Sequence, residues 1–492
     1  MSPKKPSPSV VCSHPCLLIK PHPSQSQFSR VSPSRRAAAT TSSSTQKTAI
    51  TDTILHEFAS DLDCASTFPG PLVLEGDDLA IDPKQGGQTF GSWEKGKHRN
   101  LVPEAYETRD SGKRKRGARR MIYVMGPPEI DGEGVEGFMR GWDECEAESG
   151  SKKGKGSKNM WKEENWEMSD WMSDIISYLQ AFYHGLPVKR LDSSLLHFTP
   201  WEDTSPQTSK CKFKSTSRKK FPTYIFLRTS TFKTGIRFRS TPYSPFKHQL
   251  NLSDLLDLAI DILPEDAYAL LMLVNHDLYE DDDDEFICGR AYGGSRVAVV
   301  STARYNPVLD ELQNVQRVHA WPGSHCAEYA DGFCRDRSKK DGKRTRAEAD
   351  GEYAMEGSPL ALAVTQQNTL LSLSSSPDIS SNILPGLYLS RICRTASHEL
   401  GHCFGIDHCI YYACCMQGSA SIIEDSRQPP YLCPVDLAKV ICATGADVEE
   451  RYEVLLKFCE RHGDVHMLVA FGEWIRGRLG QIRKLEMGKK EE

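Results

Sequence analysis

No run in this chain approaches the roughly 18 consecutive apolar residues that a membrane-spanning helix needs, so an α-helical membrane protein is not expected. A secretory core is lacking as well, because the apolar stretch Val10–Ile19 is interrupted by Ser13, His14 and Pro15. Asp and Glu are absent from positions 1–51, which are rich in Ser and Pro and carry scattered Lys and Arg. That composition is compatible with an organellar transit peptide, but a disordered tail over 1–50 is the simpler expectation. Without a secretory signal, the 16 Cys read as reduced thiols and metal ligands rather than disulfides, and the compartment as cytoplasmic. The formal net charge of -5 gives no global attraction to nucleic acid. The basic stretches Lys113–Arg120 and Lys339–Arg346 lack the interleaved aromatics on which bases stack, which argues against a nucleic-acid groove. They leave a nuclear localisation signal open.

A hydrophobic fraction of 39% and a mean hydropathy of -0.48 are low for a wholly packed chain, so part of the length reads as linker. Four stretches fit that role as surface insertions, near 107–120, 146–158, 205–220 and 334–352. Between them the pattern alternates. Met121–Met125 and Tyr224–Thr229 read as strands, Ala269–Val274 as a central strand, and Ile236–Ser240 as a half-exposed one. Phe286–Tyr292 and Arg296–Ser301 read as a pair. Asn165–His184 has helical spacing and stops at Gly185-Leu186-Pro187, and Ser253 is placed to cap a helix running through Leu263. Val448–Arg461 and Met467–Glu486 are amphipathic helices. The acidic run Glu280–Glu285 lacks the Gly and ligand spacing of an EF-hand loop and reads as solvated. Strands alternating with helices over residues 51–490 predict a single α+β domain, an α/β sandwich.

The most informative stretch is His398-Glu399-Leu400-Gly401-His402-Cys403-Phe404-Gly405-Ile406-Asp407-His408. On a helix, His398 and His402 share a face and can offer two imidazoles to one ion. Glu399 is then placed to act on a water at that ion without ligating it, the H-E-x-x-H arrangement of zinc hydrolases. Gly405 can take the positive φ that ends a helix sharply and returns His408 to the same ion. Three His leave one coordination position for water, the open form of a catalytic zinc site. The helix is expected from near Leu387 to Phe404. Downstream, Cys409, Cys414, Cys415 and Cys433 crowd one short segment, which argues for a second, thiolate-rich metal site. Cys12 and Cys16 lack a partner pair nearby in sequence and read as incidental.

His398 to His408 followed by Cys409, Cys414, Met416 and Cys433-Pro434 resembles the archaemetzincins, a branch of the metzincin zinc metallopeptidases. The resemblance extends to Phe68–Leu74 with Gly76-Asp77-Asp78, to Ile122–Val124, and to Asp277-Leu278-Tyr279 with Val297–Tyr305, covering most of 50–445 outside the insertions. It implies a metzincin-like domain with a twisted mixed sheet, an active-site helix and a short cysteine-rich C-terminal part. His398, His402 and His408 would be the catalytic zinc ligands, Glu399 the general base and Met416 the apolar floor beneath the imidazoles. Cys409, Cys414 and Cys433 match the family's second zinc site. The family's usual fourth Cys is replaced by Asp436, so the set is mixed-ligand with Asp436, completed by Cys415, or weakened. By the same resemblance the chain would be a peptidase, in keeping with the aminopeptidase activity suggested for the family. Gly289–Tyr292 would be the strand along which a peptide or protein substrate lies. A monomer without membrane or nucleic-acid partners is expected. The competing reading is a non-proteolytic zinc protein that uses the cleft to bind a partner.

Overall fold

A computed structural model describes residues 12–19, 31–41, 61–96, 105–110, 113–130, 132–145, 168–199, 224–332, 353–373 and 377–491. The expected start of order at 51–58 and the insertions at 146–158, 205–220 and 334–352 lie outside these residues. The chain divides into two compact units. One comprises Met1–Glu104, Ser173–Pro187 and Pro307–Glu492, and the other Ala105–Met172 and Val188–Asn306.

In the second unit, the strand Ala267–Val274 is buried at every residue. It is a continuous apolar run, as expected of a strand covered on both faces. It lies at the centre of a five-stranded sheet, between Val297–Ser301 and Met121–Met125, both parallel to it. Val188–Leu191 closes one side, and Gly289–Tyr292, antiparallel to Val297–Ser301, forms the outer strand on the other. A six-stranded sheet runs in the order Asp277–Tyr279, His248–Asn251, Lys233–Ser240, Tyr224–Arg228, His197–Thr199, Glu129–Ile130. Its inner pairs are antiparallel and its two outer pairs parallel, so the architecture is mixed α+β. Much of the stretch 107–120, expected as a surface insertion, lies in an antiparallel hairpin of Ala105–Asp110 and Lys113–Ala118.

The helix Leu252–Asp261 packs Leu252, Leu255, Leu256 and Ala259 into the core of this unit. Its cap is Asn251, whose side chain accepts from the Asp254 N–H at 3.1 Å, and not the expected Ser253. Asn caps at least as well as Ser, and the earlier position wins because Leu252 already belongs to the buried face. Asp254 sits in the first turn and is paired with Arg237 at 2.7 Å. The acidic run is tied down through backbone: the Arg239 guanidinium donates to the carbonyls of Asp281 (3.2 Å) and Asp282 (3.0 Å).

The first unit is largely helical. Its long helix, Pro377–Cys403, begins well before the expected start near Leu387 and passes through Pro385. A proline inside a helix removes one backbone hydrogen bond and ordinarily breaks or kinks it. In the fold, Gly386 is where Val465 is packed against the helix: a Cβ there would lie 2.1 Å from Val465 Cγ2. Trp474 of the helix His466–Glu491 stacks on Tyr431 at 4.3 Å and donates from Nε1 to the Thr67 carbonyl at 3.1 Å. Two parts of the expected tail are folded. Leu17, Leu18 and Ile19 are buried, with bridges from Leu17 to Cys326 and from Leu18 to Tyr353, and Pro33–Ala39 is a helix capped by Ser32. A Ser/Pro-rich composition concealed the first of these, because its partners are remote in sequence. Cys12 meets Cys326 across 314 positions and His14 meets the Val318 carbonyl across 304. Only such contacts offset the entropy lost in ordering the segment.

Candidate metal centre

The long helix ends at Cys403 in a Schellman turn. Gly405 N donates to the His402 carbonyl at 2.9 Å and Ile406 N to the Gly401 carbonyl at 3.2 Å. Gly405 takes φ 71°, the positive value the sequence predicted. The turn brings His408 back to the helix, and one ring nitrogen each from His398, His402 and His408 lies within 4.8 Å of the others. The ring centroids are 4.8, 5.3 and 5.0 Å apart.

The hydrogen bonds behind the rings decide what faces the centre. His398 Nδ1 donates to the Cys415 carbonyl at 2.6 Å and His402 Nδ1 to the Ile406 carbonyl at 2.7 Å. A carbonyl can only accept, so both Nδ1 atoms carry the proton and both Nε2 atoms present a lone pair. Those two Nε2 atoms are 3.1 Å apart. Two lone pairs held that close repel unless a cation lies between them, and two nitrogens at about 2.1 Å from a tetrahedral zinc would be about 3.4 Å apart. Burial pushes the His398 imidazole well below its ordinary range, and that of His408 down as well, which keeps these rings neutral as ligands must be. The donors therefore fit a zinc ion. Glu399 is buried on the same helix, next in sequence to His398.

Met416 is fully buried beneath the helix. Gly401 makes room for it, since a Cβ at that position would be 2.3 Å from the Met416 sulfur. Behind His408 stands Asp78, its Oδ2 buried and without a hydrogen-bond partner. A Cβ on Gly418 would meet that oxygen at 2.3 Å and His408 Nδ1 at 2.8 Å, so carboxylate and ring flank the same glycine. The Asp78 charge pulls the His408 pKa upward against the larger effect of burial. Glu424 holds the Asp78 backbone N–H at 2.9 Å and is itself pushed up to about 8, by burial and then by Asp77.

The second cluster is separate. Cys409, Cys414, Cys433 and Asp436 are all buried, with ligand atoms within 4.8 Å of one another. Cys409 Sγ is 3.6 Å from Cys433 Sγ, and Asp436 Oδ2 is 3.4 Å from the sulfurs of both Cys414 and Cys433. Cys415 is turned away, toward Ser397 Oγ at 3.4 Å and the Arg394 carbonyl at 3.7 Å. Burial, with Cys409 next, pushes the Asp436 carboxyl up to about 7, against the pull of Lys439, whose Nζ is 2.8 Å from Oδ1. Three thiols and a carboxyl packed in one dry pocket also suit a zinc ion.

Gln88 links the two clusters. Its Nε2 donates to the Gly405 carbonyl at 2.9 Å, its Oε1 accepts from Asp407 N at 3.2 Å, and Lys439 reaches the same Oε1 at 2.9 Å. Trp93 Nε1 secures the Phe404 carbonyl at 2.9 Å. Neither Gln88, Trp93, Asp78 nor Lys439 was visible as a site residue in sequence. Gln88 and Trp93 act across 317 and 311 positions, and no local motif signals such contacts.

Residues 359–440 match the profile of peptidase family M54. Archaemetzincin-2 of Macaca fascicularis is 28% identical over 212 residues, 43% of this chain and 47% of that protein. Archaemetzincin-2 of Rattus norvegicus is 26% identical over 283 residues, 58% of this chain and 56% of that one. The chain thus spans about half the length of the curated relatives it matches. The solved archaemetzincin of Methanopyrus kandleri aligns with 65% of this chain and 93% of its own at 17% identity, with a TM-score of 0.28.

Proposed function

Because the chain belongs to the archaemetzincin family, a family of zinc metallopeptidases, we propose that it hydrolyses peptide bonds with zinc held by His398, His402 and His408. Both units are then parts of one metzincin-like peptidase domain over 51–490. The observation that carries it is the pair of facing Nε2 lone pairs 3.1 Å apart, each fixed by a backbone carbonyl behind its ring. When bound there, zinc lowers the pKa of water toward neutrality and polarises the scissile carbonyl. Glu399 takes the proton from the attacking water and delivers it to the leaving amine. The carbonyls of Cys415 and Ile406 keep His398 and His402 in the ligating tautomer, and Asp78 flanks His408. Met416 supports the rings from below. Cys409, Cys414, Cys433 and Asp436 hold a second zinc in a structural role, with Asp436 rather than Cys415 as the fourth ligand. The substrate is a peptide or protein, and removal of N-terminal residues is the activity the family resemblance favours.

The test is a peptide library incubated with purified protein, with and without a zinc chelator, beside Glu399→Ala. Cleavage that stops with chelator and in the variant supports the peptidase. Zinc binding at full stoichiometry with no cleavage of any peptide would leave a partner-binding zinc protein instead.

A further inference from the structure

A third group of ligand atoms lies in the first unit, outside both clusters. Cys12 Sγ, Cys326 Sγ and one His319 ring nitrogen are within 4.8 Å of one another. We propose that these three residues bind one further zinc ion, and that this ion clips the N-terminal segment Cys12–Ile19 onto the unit.

His319 Nδ1 lies 2.8 Å from Gln316 Oε1, an acceptor, so Nδ1 carries the proton and Nε2 the lone pair. Nε2 is sealed from solvent and has no hydrogen-bond partner. An imidazole lone pair buried with no donor facing it has lost its water without a replacement, and a metal beside it removes that cost. The ring is held in place by Tyr329, stacked on it at 4.2 Å.

The sulfurs of Cys12 and Cys326 are 3.6 Å apart. Two thiolates at about 2.3 Å from a tetrahedral zinc would be about 3.8 Å apart, whereas a disulfide needs about 2.05 Å. Cys326 is fully buried, so its sulfur is held in place opposite Cys12. The neighbouring His14 is not a competitor, because its two nitrogens are taken by Asn368 Oδ1 at 2.8 Å and the Val318 carbonyl at 2.7 Å. Two thiolates and one imidazole are a zinc set by softness, and they leave the fourth position to solvent on the half-exposed Cys12 side. Binding displaces two thiol protons to water and leaves the imidazole neutral.

The backbone already joins the same places. Leu18 N donates to the His325 carbonyl at 2.7 Å and Ala327 N to the Cys16 carbonyl at 2.9 Å. A metal at Cys12 would cross-link positions 314 residues apart at the start of that pairing.

The experiment measures zinc per chain by elemental analysis in the full-length protein, wild type beside Cys12→Ser and His319→Gln. Both variants are expected to lose one zinc equivalent relative to wild type and to be cut faster by a protease between residues 12 and 19. Cys12 is half-exposed, so its variant is expected to fold, which circular dichroism checks. The comparison is a difference between wild type and variant, so it reads independently of whether the other two clusters bind metal or the protein cleaves peptides. Unchanged zinc in both variants overturns the proposal, as does a Cys12–Cys326 disulfide found by mass spectrometry after thiol alkylation.

Discussion

In the sheet unit, Ala267–Val274 is buried end to end among apolar neighbours, and the buried Asp277 is answered by protein alone. Arg304 reaches its two oxygens at 2.9 and 2.6 Å, and Gln249 adds a third bond at 2.8 Å. The cluster of Cys409, Cys414, Cys433 and Asp436 in the helical unit is just as buried, yet it brings together three thiols and a carboxyl with Lys439 as the cation in contact. All three groups of potential metal ligands among the described residues fall in the helical unit. One region closes its core with side chains it already owns, whereas the other has a donor set whose geometry makes sense around ions.

Chelation should separate the two most sharply, since a structural zinc can account for on the order of 10 kcal/mol of apparent folding free energy. Hydrogen exchange after zinc removal should show the amides of the helix Pro434–Thr444 losing protection while those of Ala267–Val274 keep theirs. Equal loss in both segments would erase the distinction. The converse perturbation is Leu271→Ala, which removes a fully buried side chain from the central strand. It should cost about 2–5 kcal/mol by denaturant titration with zinc content unchanged. Next in size, Asp78→Asn removes the charge beside His408, and zinc affinity at the three-His site should drop roughly 10–100-fold. An unaltered affinity would mean that Asp78 merely fills space.

The smallest effect belongs to pH. His276 of the sheet unit is buried against Phe198 at 5.2 Å with neither ring nitrogen partnered, and burial pushes its pKa from 6.5 down to about 4. The unfolded chain binds a proton below about pH 6.5, and the folded ring refuses it until about pH 4, so stability falls as pH falls through that window. The loss should reach about 2 kcal/mol by pH 5. His276→Phe should flatten the midpoint-against-pH curve; a wild-type curve already flat from pH 7 to 5 would contradict the burial argument.

Strands were legible where period and composition agreed, as in Met121–Met125 and Ala267–Val274, because a doubly covered strand needs apolar residues throughout. The metal helix was legible at its end but not at its start. Gly405 and the His spacing are local requirements of the turn, whereas the first turns of the helix run through Pro385, beside a glycine against which the remote Val465 packs. The cap at Asn251 was missed for a like reason, since the choice between two good caps fell to which face of the helix is buried. Leu17, Leu18 and Ile19 were masked by a Ser/Pro-rich setting and found partners only in the fold.

The sequence by itself determined the ligand types, their spacing on one helix face and the glycine that turns the chain, because these obey short-range geometry. Tertiary structure alone decided that Asp436 and not Cys415 faces the three thiols, that Asp78 and Gln88 stand behind the histidines, and that Cys12 meets His319 and Cys326. Such contacts join residues up to hundreds of positions apart, and only the packing of the whole chain sets which side chains share a dry, three-dimensional neighbourhood.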